Sequence, residues 1–195
     1  MKKTNNFMAI LKKAWIIAFT VIIGFGVTAC GGGSNNIDGI YEGQFMGDPA
    51  EFVFINDMFF IKGGRSISRA KFTYSNGEGV LSLFSDLKFT VKGKKLTLNQ
   101  RDGEAVFTKK DGKAPVEIAG IWKEPRDYYV IIVNDLVIMT DEDDRYNEFG
   151  TYSFKNNSGS FNMYRDNNVT FTVSGNTLNT IEGEDEEKYT YTKLY

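Results

Sequence analysis

A short apolar motif near residue 37 returns about 80 residues later, and this internal repeat constrains the chain more than any other feature. Ile37-Asp38-Gly39-Ile40-Tyr41 reappears as Ile118-Ala119-Gly120-Ile121-Trp122, and Asn56-Asp57 as Asn134-Asp135. Phe72-Thr73-Tyr74-Ser75 is answered by Tyr152-Ser153-Phe154-Lys155, Phe89-Thr90-Val91 by Phe171-Thr172-Val173, and Phe107-Thr108-Lys109 by Tyr191-Thr192-Lys193. The offset drifts only slightly, as short changes in loop length would make it. Two copies follow, residues 37–110 and 118–195, joined by a linker over residues 111–117 that holds a Gly, a Pro and three charges.

Within each copy the apolar period is two. Phe72 and Tyr74, Leu81 and Leu83, Phe89 and Val91, Leu96 and Leu98 alternate with Thr, Ser, Lys and Asn, which turns one face of each segment inward and the other to water. Turn residues separate the segments at Ser75-Asn76-Gly77, Lys92-Gly93-Lys94, Arg101-Asp102-Gly103, Asn156 to Gly159 and Ser174-Gly175-Asn176. Short strands and tight turns predict an all-β chain of two tandem antiparallel meander barrels, about eight short strands each, closed so that no edge is exposed. The copies could stand as separate barrels or as halves of one assembly.

One hairpin per copy breaks the alternation. Phe52 to Ile55, Asn56-Asp57 and Met58 to Ile61 are apolar on both faces, and so are Tyr128 to Val133, Asn134-Asp135 and Leu136 to Met139. The Asn-Asp pairs predict two-residue primed turns. Phe52, Phe54, Phe59 and Phe60, with Tyr129, Ile131, Val137 and Met139, are the candidate interface. Either each hairpin covers the other where the copies pack, or they form an apolar strip for a ligand or partner.

Where the chain resides is decided near its start. Lys2, Lys3, Lys12 and Lys13 precede an uncharged apolar run from Ala14 to Ala29, shorter than the roughly 20 residues of a spanning helix and ending in small residues. Val27-Thr28-Ala29-Cys30 fills the places of a lipobox, and the segment resembles a bacterial lipoprotein signal peptide. The resemblance implies that residues 1–29 are cleaved between Ala29 and Cys30. It further implies that Cys30 carries a thioether-linked diacyl lipid and palmitate-type acyl chains, making the membrane a partner through this anchor. Residues 30–36, Gly- and Asn-rich, then form a flexible tether. Gly31 is not acidic, so in a Gram-negative host following the aspartate retention rule the expected address is the outer membrane of the cell envelope, on either face.

Gly150-Thr151-Tyr152-Ser153-Phe154, with Val169 to Leu178, resembles the small lipocalin-like barrel domains of bacterial lipoproteins. The resemblance implies a barrel able to hold a small apolar ligand, and no particular activity. The first copy departs from it by placing Arg69-Ala70-Lys71-Phe72 where Gly-Thr-Tyr would stand.

Chemistry is approached by exclusion. The chain has no histidine and one cysteine, which removes imidazole-based triads, thiol catalysis in the lipidated form and nearly all zinc and haem sites. Asp141 to Asp144 could share a calcium ion, but Tyr146 and Tyr152 stand where an EF-hand needs Gly and Glu. No catalytic residue, metal ligand or cofactor is therefore assigned. The first copy carries eleven basic and nine acidic residues, +2, and the second seven and fourteen, −7, a balance that argues against nucleic acid. The expectation is a non-enzymatic, lipid-anchored envelope protein that binds a small apolar ligand or a protein partner; the alternative is a structural or assembly subunit of an envelope complex.

Overall fold

The computed structural model describes residues 37–83, 86–100, 103–165, 168–183 and 185–194. Ala29, Cys30, the leader and the tether lie outside them. Eight strands form the first copy: β1 (Gly39–Phe45), β2 (Asp48–Ile55), β3 (Met58–Gly63), β4 (Ser66–Ser75), β5 (Glu78–Ser82), β6 (Asp86–Lys92), β7 (Lys95–Gln100) and β8 (Gly103–Lys109). Eight more form the second: β9 (Gly120–Lys123), β10 (Tyr128–Val133), β11 (Leu136–Asp141), β12 (Asn147–Lys155), β13 (Ser158–Met163), β14 (Asn168–Ser174), β15 (Thr177–Glu182) and β16 (Glu187–Lys193). Each set closes into an antiparallel up-and-down barrel, through β1 on β8 and β9 on β16. The chain is thus two tandem eight-stranded meander barrels.

Turn chemistry sets the registers. Asn56 and Asn134 take up φ of 52° and 53°, whereas the aspartates that follow them stay out of the left-handed region. At Asn156-Asn157 both residues are left-handed, φ 53° and 61°. That turn is only two residues long, so Ser158 and Gly159, read from sequence as part of it, belong to β13.

The alternating residues fill each lumen. In the first barrel the Phe52 and Phe107 rings stack at 4.1 Å, Phe54 and Phe59 at 4.6 Å, and Phe54 meets Phe72 edge-on at 5.2 Å. Leu81, Leu96 and Leu98 complete the packing. In the second, Trp122, Phe161, Phe171, Leu178 and Tyr191 do the same, and the Trp122 Nε1–H donates to the Ile118 carbonyl at 2.8 Å. One device occurs in both copies. Gly79 and Gly159 leave room for the Phe89 and Phe171 rings of the next strand, which stack on Tyr74 (5.9 Å) and Phe154 (6.0 Å). A Cβ would fall 2.3 Å from Phe89 at Gly79 and 2.6 Å from Phe171 at Gly159.

A third core lies outside both lumens. Ile40, Val53, Ile55, Met58, Phe60 and Ile67 of the first barrel form one buried cluster with Ile121, Tyr129, Ile131, Val133, Leu136, Ile138 and Phe149 of the second. Val53 is the cross-strand mate of Phe60, and Ile131 that of Ile138. The two copies therefore meet through equivalent faces, as subunits of an isologous dimer do, here within one chain.

Candidate functional site

The two doubly apolar hairpins divide their residues by parity. Phe60, Tyr129 and Ile131 lie in the seam between the barrels, whereas Phe52, Phe54 and Phe59 point into the first lumen and Val137 and Met139 into the second. The outward residues that do meet across the seam, Val53, Ile55, Met58, Leu136 and Ile138, were not singled out from sequence, because a segment apolar on both faces does not reveal which face is which. With the seam closed, these faces are covered by one another.

A small cleft of about 270 Å3 opens at the edge of the seam, lined among others by Ile40, Glu51, Lys62, Lys110, Asp135 and Tyr164. Its charges are already engaged. Lys110 Nζ sits 3.1 Å from Glu42, 3.6 Å from Glu51 and 3.3 Å from Asp135. Burial works against its charge, but hydrogen bonds and attraction from Glu42 and Asp135 outweigh it and push Lys110 above its ordinary value. Lys62 pairs with Glu51 and lies 5.1 Å over the Phe149 ring, on which Tyr164 stacks at 5.5 Å. The cleft is a polar lock on the seam.

One mouth of the second barrel is acidic. Glu124, Glu148 and Glu182 continue the inward rows of their strands where β9 ends and β10 begins. Glu148, 2% exposed, accepts the Arg165 N–H at 2.9 Å and the Tyr146 phenol. Glu124 accepts both the backbone N–H and Nε of Arg126, at 2.9 and 2.8 Å. Burial, reinforced by Glu187 and Glu148, raises the Glu182 carboxyl above its usual value against the Thr180 hydroxyl bond that lowers it. Burial and the carboxylate bond likewise drive the Tyr146 phenol up. In the neighbouring acidic loop, Asp141 accepts the Tyr146 N–H at 3.1 Å and lies 3.5 Å from Arg145. Among the described residues no group of three or more carboxylates is arranged to hold a metal ion.

A groove of about 1000 Å3 runs across the outer face of β12–β16 in the second barrel. Its floor is two adjacent rows of the ladder. Ser153, Ser160, Thr170, Ile181 and Lys188 form one row, each paired with the next across neighbouring strands. Lys155, Ser158, Thr172, Asn179 and Thr190 form the other. The Ser153 and Ser160 hydroxyls lie 3.0 Å apart, and Thr190 donates to the Asn179 amide oxygen at 2.8 Å. No carboxylate stands in either row. Sequence reasoning missed this groove, since Ser, Thr and Asn on a solvent face signal nothing until the strands are laid side by side.

Comparison with protein-family models, curated proteins and solved structures finds no match to this chain in any of the three.

Proposed function

We propose that the chain is a non-enzymatic, lipid-anchored binding module of a bacterial envelope that recognises its partner on an outer barrel face rather than carrying an apolar ligand in a lumen. The observation that carries the reading is the filling of both barrels by their own rings. An eight-stranded barrel is just wide enough for side chains to occupy, and Phe52, Phe54, Phe59 and Phe107 in one and Trp122, Phe161 and Phe171 in the other are at most 2% exposed. The acidic mouth adds to this by repelling an amphiphile with an anionic head. The lipobox pattern at Cys30 supports the anchor, and the absence of histidine supports a role without catalysis.

The assembly-subunit alternative loses its expected surface, because the outward faces of both hairpins are covered in the seam. The test is native mass spectrometry of the soluble form beginning at Gly31, purified gently from its own host. The bare calculated mass is expected, and a retained small apolar mass would return the function to ligand carriage. A Cys30→Ser variant should lose partition into the membrane fraction; its persistence there would remove the anchor.

A further inference from the structure

At one hairpin the two copies differ in charge at every residue with a side chain. β6 turns into β7 through Lys92-Gly93-Lys94-Lys95, whereas β14 turns into β15 through Ser174-Gly175-Asn176-Thr177. The backbone is the same, with φ of 60° at Gly93 and 57° at Gly175. All four residues of the first turn are exposed. Lys92 and Lys95 are direct cross-strand partners, an arrangement in which like charges destabilise a sheet, and among the described residues neither has an ion pair. Lys94 pairs with Asp111, but the two side chains are 63% and 85% exposed, so water and salt screen the pair. Other acids at this end of the barrel are placed differently. Asp38 accepts the Asn56 N–H at 2.9 Å, Asp57 belongs to the seam hairpin, and Glu78 stands opposite Thr90 on the outer wall. The hairpin is therefore a cationic tip that lacks an anion of its own between Lys92 and Lys95.

Its place in the barrel selects the anion. Strands alternate in direction, so β1 starts at the same end at which β6 turns into β7. β7 lies beside β8, and β8 beside β1; at about 4.8 Å per strand, the hairpin is about 10 Å from the point where the chain enters the fold. Only residues 31–36 separate Cys30 from Ile37. That length extends to about 25 Å at most and averages about 15 Å as a flexible coil. With Cys30 seated in a bilayer, the lysine tip is held close to the headgroups. Lysine ammonium groups bind phosphate as point charges, and a basic patch beside a lipid anchor is the kind of second signal that steadies attachment to an anionic membrane. The second barrel, net −7 and with Ser, Asn and Thr at the equivalent tip, would be repelled from the same surface.

We infer that the β6–β7 hairpin is the membrane-facing surface of the anchored chain, with Lys92, Lys94 and Lys95 set against the phosphate headgroups of anionic phospholipid. The inference rests on the reading of Cys30 as a lipid anchor and names the face that this anchor turns toward the bilayer.

The experiment is cosedimentation of the soluble form beginning at Gly31 with vesicles of phosphatidylcholine and phosphatidylglycerol in equal parts, and with vesicles of phosphatidylcholine alone, at low ionic strength. Binding to the anionic vesicles only, its loss in about 0.5 M salt, and at least about tenfold weaker partition of a Lys92→Gln/Lys94→Gln/Lys95→Gln variant are expected. That variant should melt no lower than the parent, because Lys92 no longer opposes Lys95. A Lys155→Gln/Lys188→Gln variant, neutralised on the second barrel, should bind as the parent does. In the 15N-labelled parent, amide broadening on the anionic vesicles should centre on the β6–β7 hairpin, a readout that needs no variant. Five results would overturn the inference: no binding to anionic vesicles at millimolar lipid, equal binding to phosphatidylcholine alone, full binding by the triple variant, an equal loss in the second-barrel variant, or broadening centred on another face. The form tested carries no lipid, so each of these leaves the anchor standing; Cys30→Ser in the full chain tests that reading separately.

Discussion

Replacing Phe60 by Ala tests whether the two barrels unfold as one body. Phe60 points away from its own lumen and would be a surface residue on an isolated barrel, where truncation changes stability by no more than about 0.5 kcal/mol. In the chain it is fully buried against the second barrel. Loss of a buried Phe side chain costs about 3–5 kcal/mol, and with a urea dependence near 2 kcal/mol per molar the midpoint should fall by about 2 M. The readout can be placed in the other barrel. In the soluble form beginning at Gly31, Trp122 is the sole tryptophan, and it is buried in the second lumen. A substitution in the first barrel should therefore move the Trp122 fluorescence transition, and the far-UV circular dichroism transition should move with it. A Trp122 curve left in place while circular dichroism gains an early phase would refute the coupling. So would a midpoint unchanged by both probes.

Three further outcomes follow from the geometry. Gly159→Ala forces a Cβ to 2.0 Å from the Ser153 carbonyl oxygen and should cost about 3 kcal/mol, whereas Thr172→Ala on the same barrel's outer face should stay within about 0.5 kcal/mol; equal urea midpoints for the two would contradict the packing. Lys110→Met removes the hub between Glu42, Glu51 and Asp135, and its cost, about 1 kcal/mol at low salt, should shrink as salt is raised; a salt-independent cost would point to packing instead. The raised Glu182 carboxyl, joined by Asp144, whose desolvation likewise raises it, disfavours the ionised folded state. Each folded pKa lies above its unfolded value, so the penalty is full above the folded pKa and disappears below the ordinary values of 4.5 and 3.8. Thermal stability should rise as pH falls from neutral toward that range, and Glu182→Gln should raise the neutral-pH melting temperature and flatten the profile. A variant that melts lower at pH 7 would reverse the assignment.

Much of this architecture is legible in the residues because period-two alternation carries direct geometric meaning. Leu96 and Leu98 against Thr97 and Asn99 leave one choice of inward face, and the repeat supplies a second, independent reading of it. The hairpins show where that logic stops. In Phe52-Val53-Phe54-Ile55 either parity could face the lumen, and only the register from the Asn56 turn and the closure of the barrel assign the phenylalanines inward and Val53 and Ile55 to the seam. Gly159 illustrates a different limit. Beside Asn156-Asn157-Ser158 it reads as turn punctuation, and its use as a seat for Phe171 emerges only from a contact one strand away. The groove is less legible still, since its rows join residues from five strands that are never adjacent in sequence.

The seam joins equivalent faces through a connection of about ten residues between β8 and β9, and such a tether holds the second face at an effective concentration in the millimolar range. Contacts too weak to pair free copies are strong enough to stay shut here. Because the pairing is closed on itself, it offers neighbouring molecules no complementary face on which to propagate. Duplication thus confines the demand for self-complementarity to β1–β4 and β9–β12. The far walls, β5–β8 and β13–β16, are relieved of it, so one twin can retain the ancestral surface while the other acquires a new one.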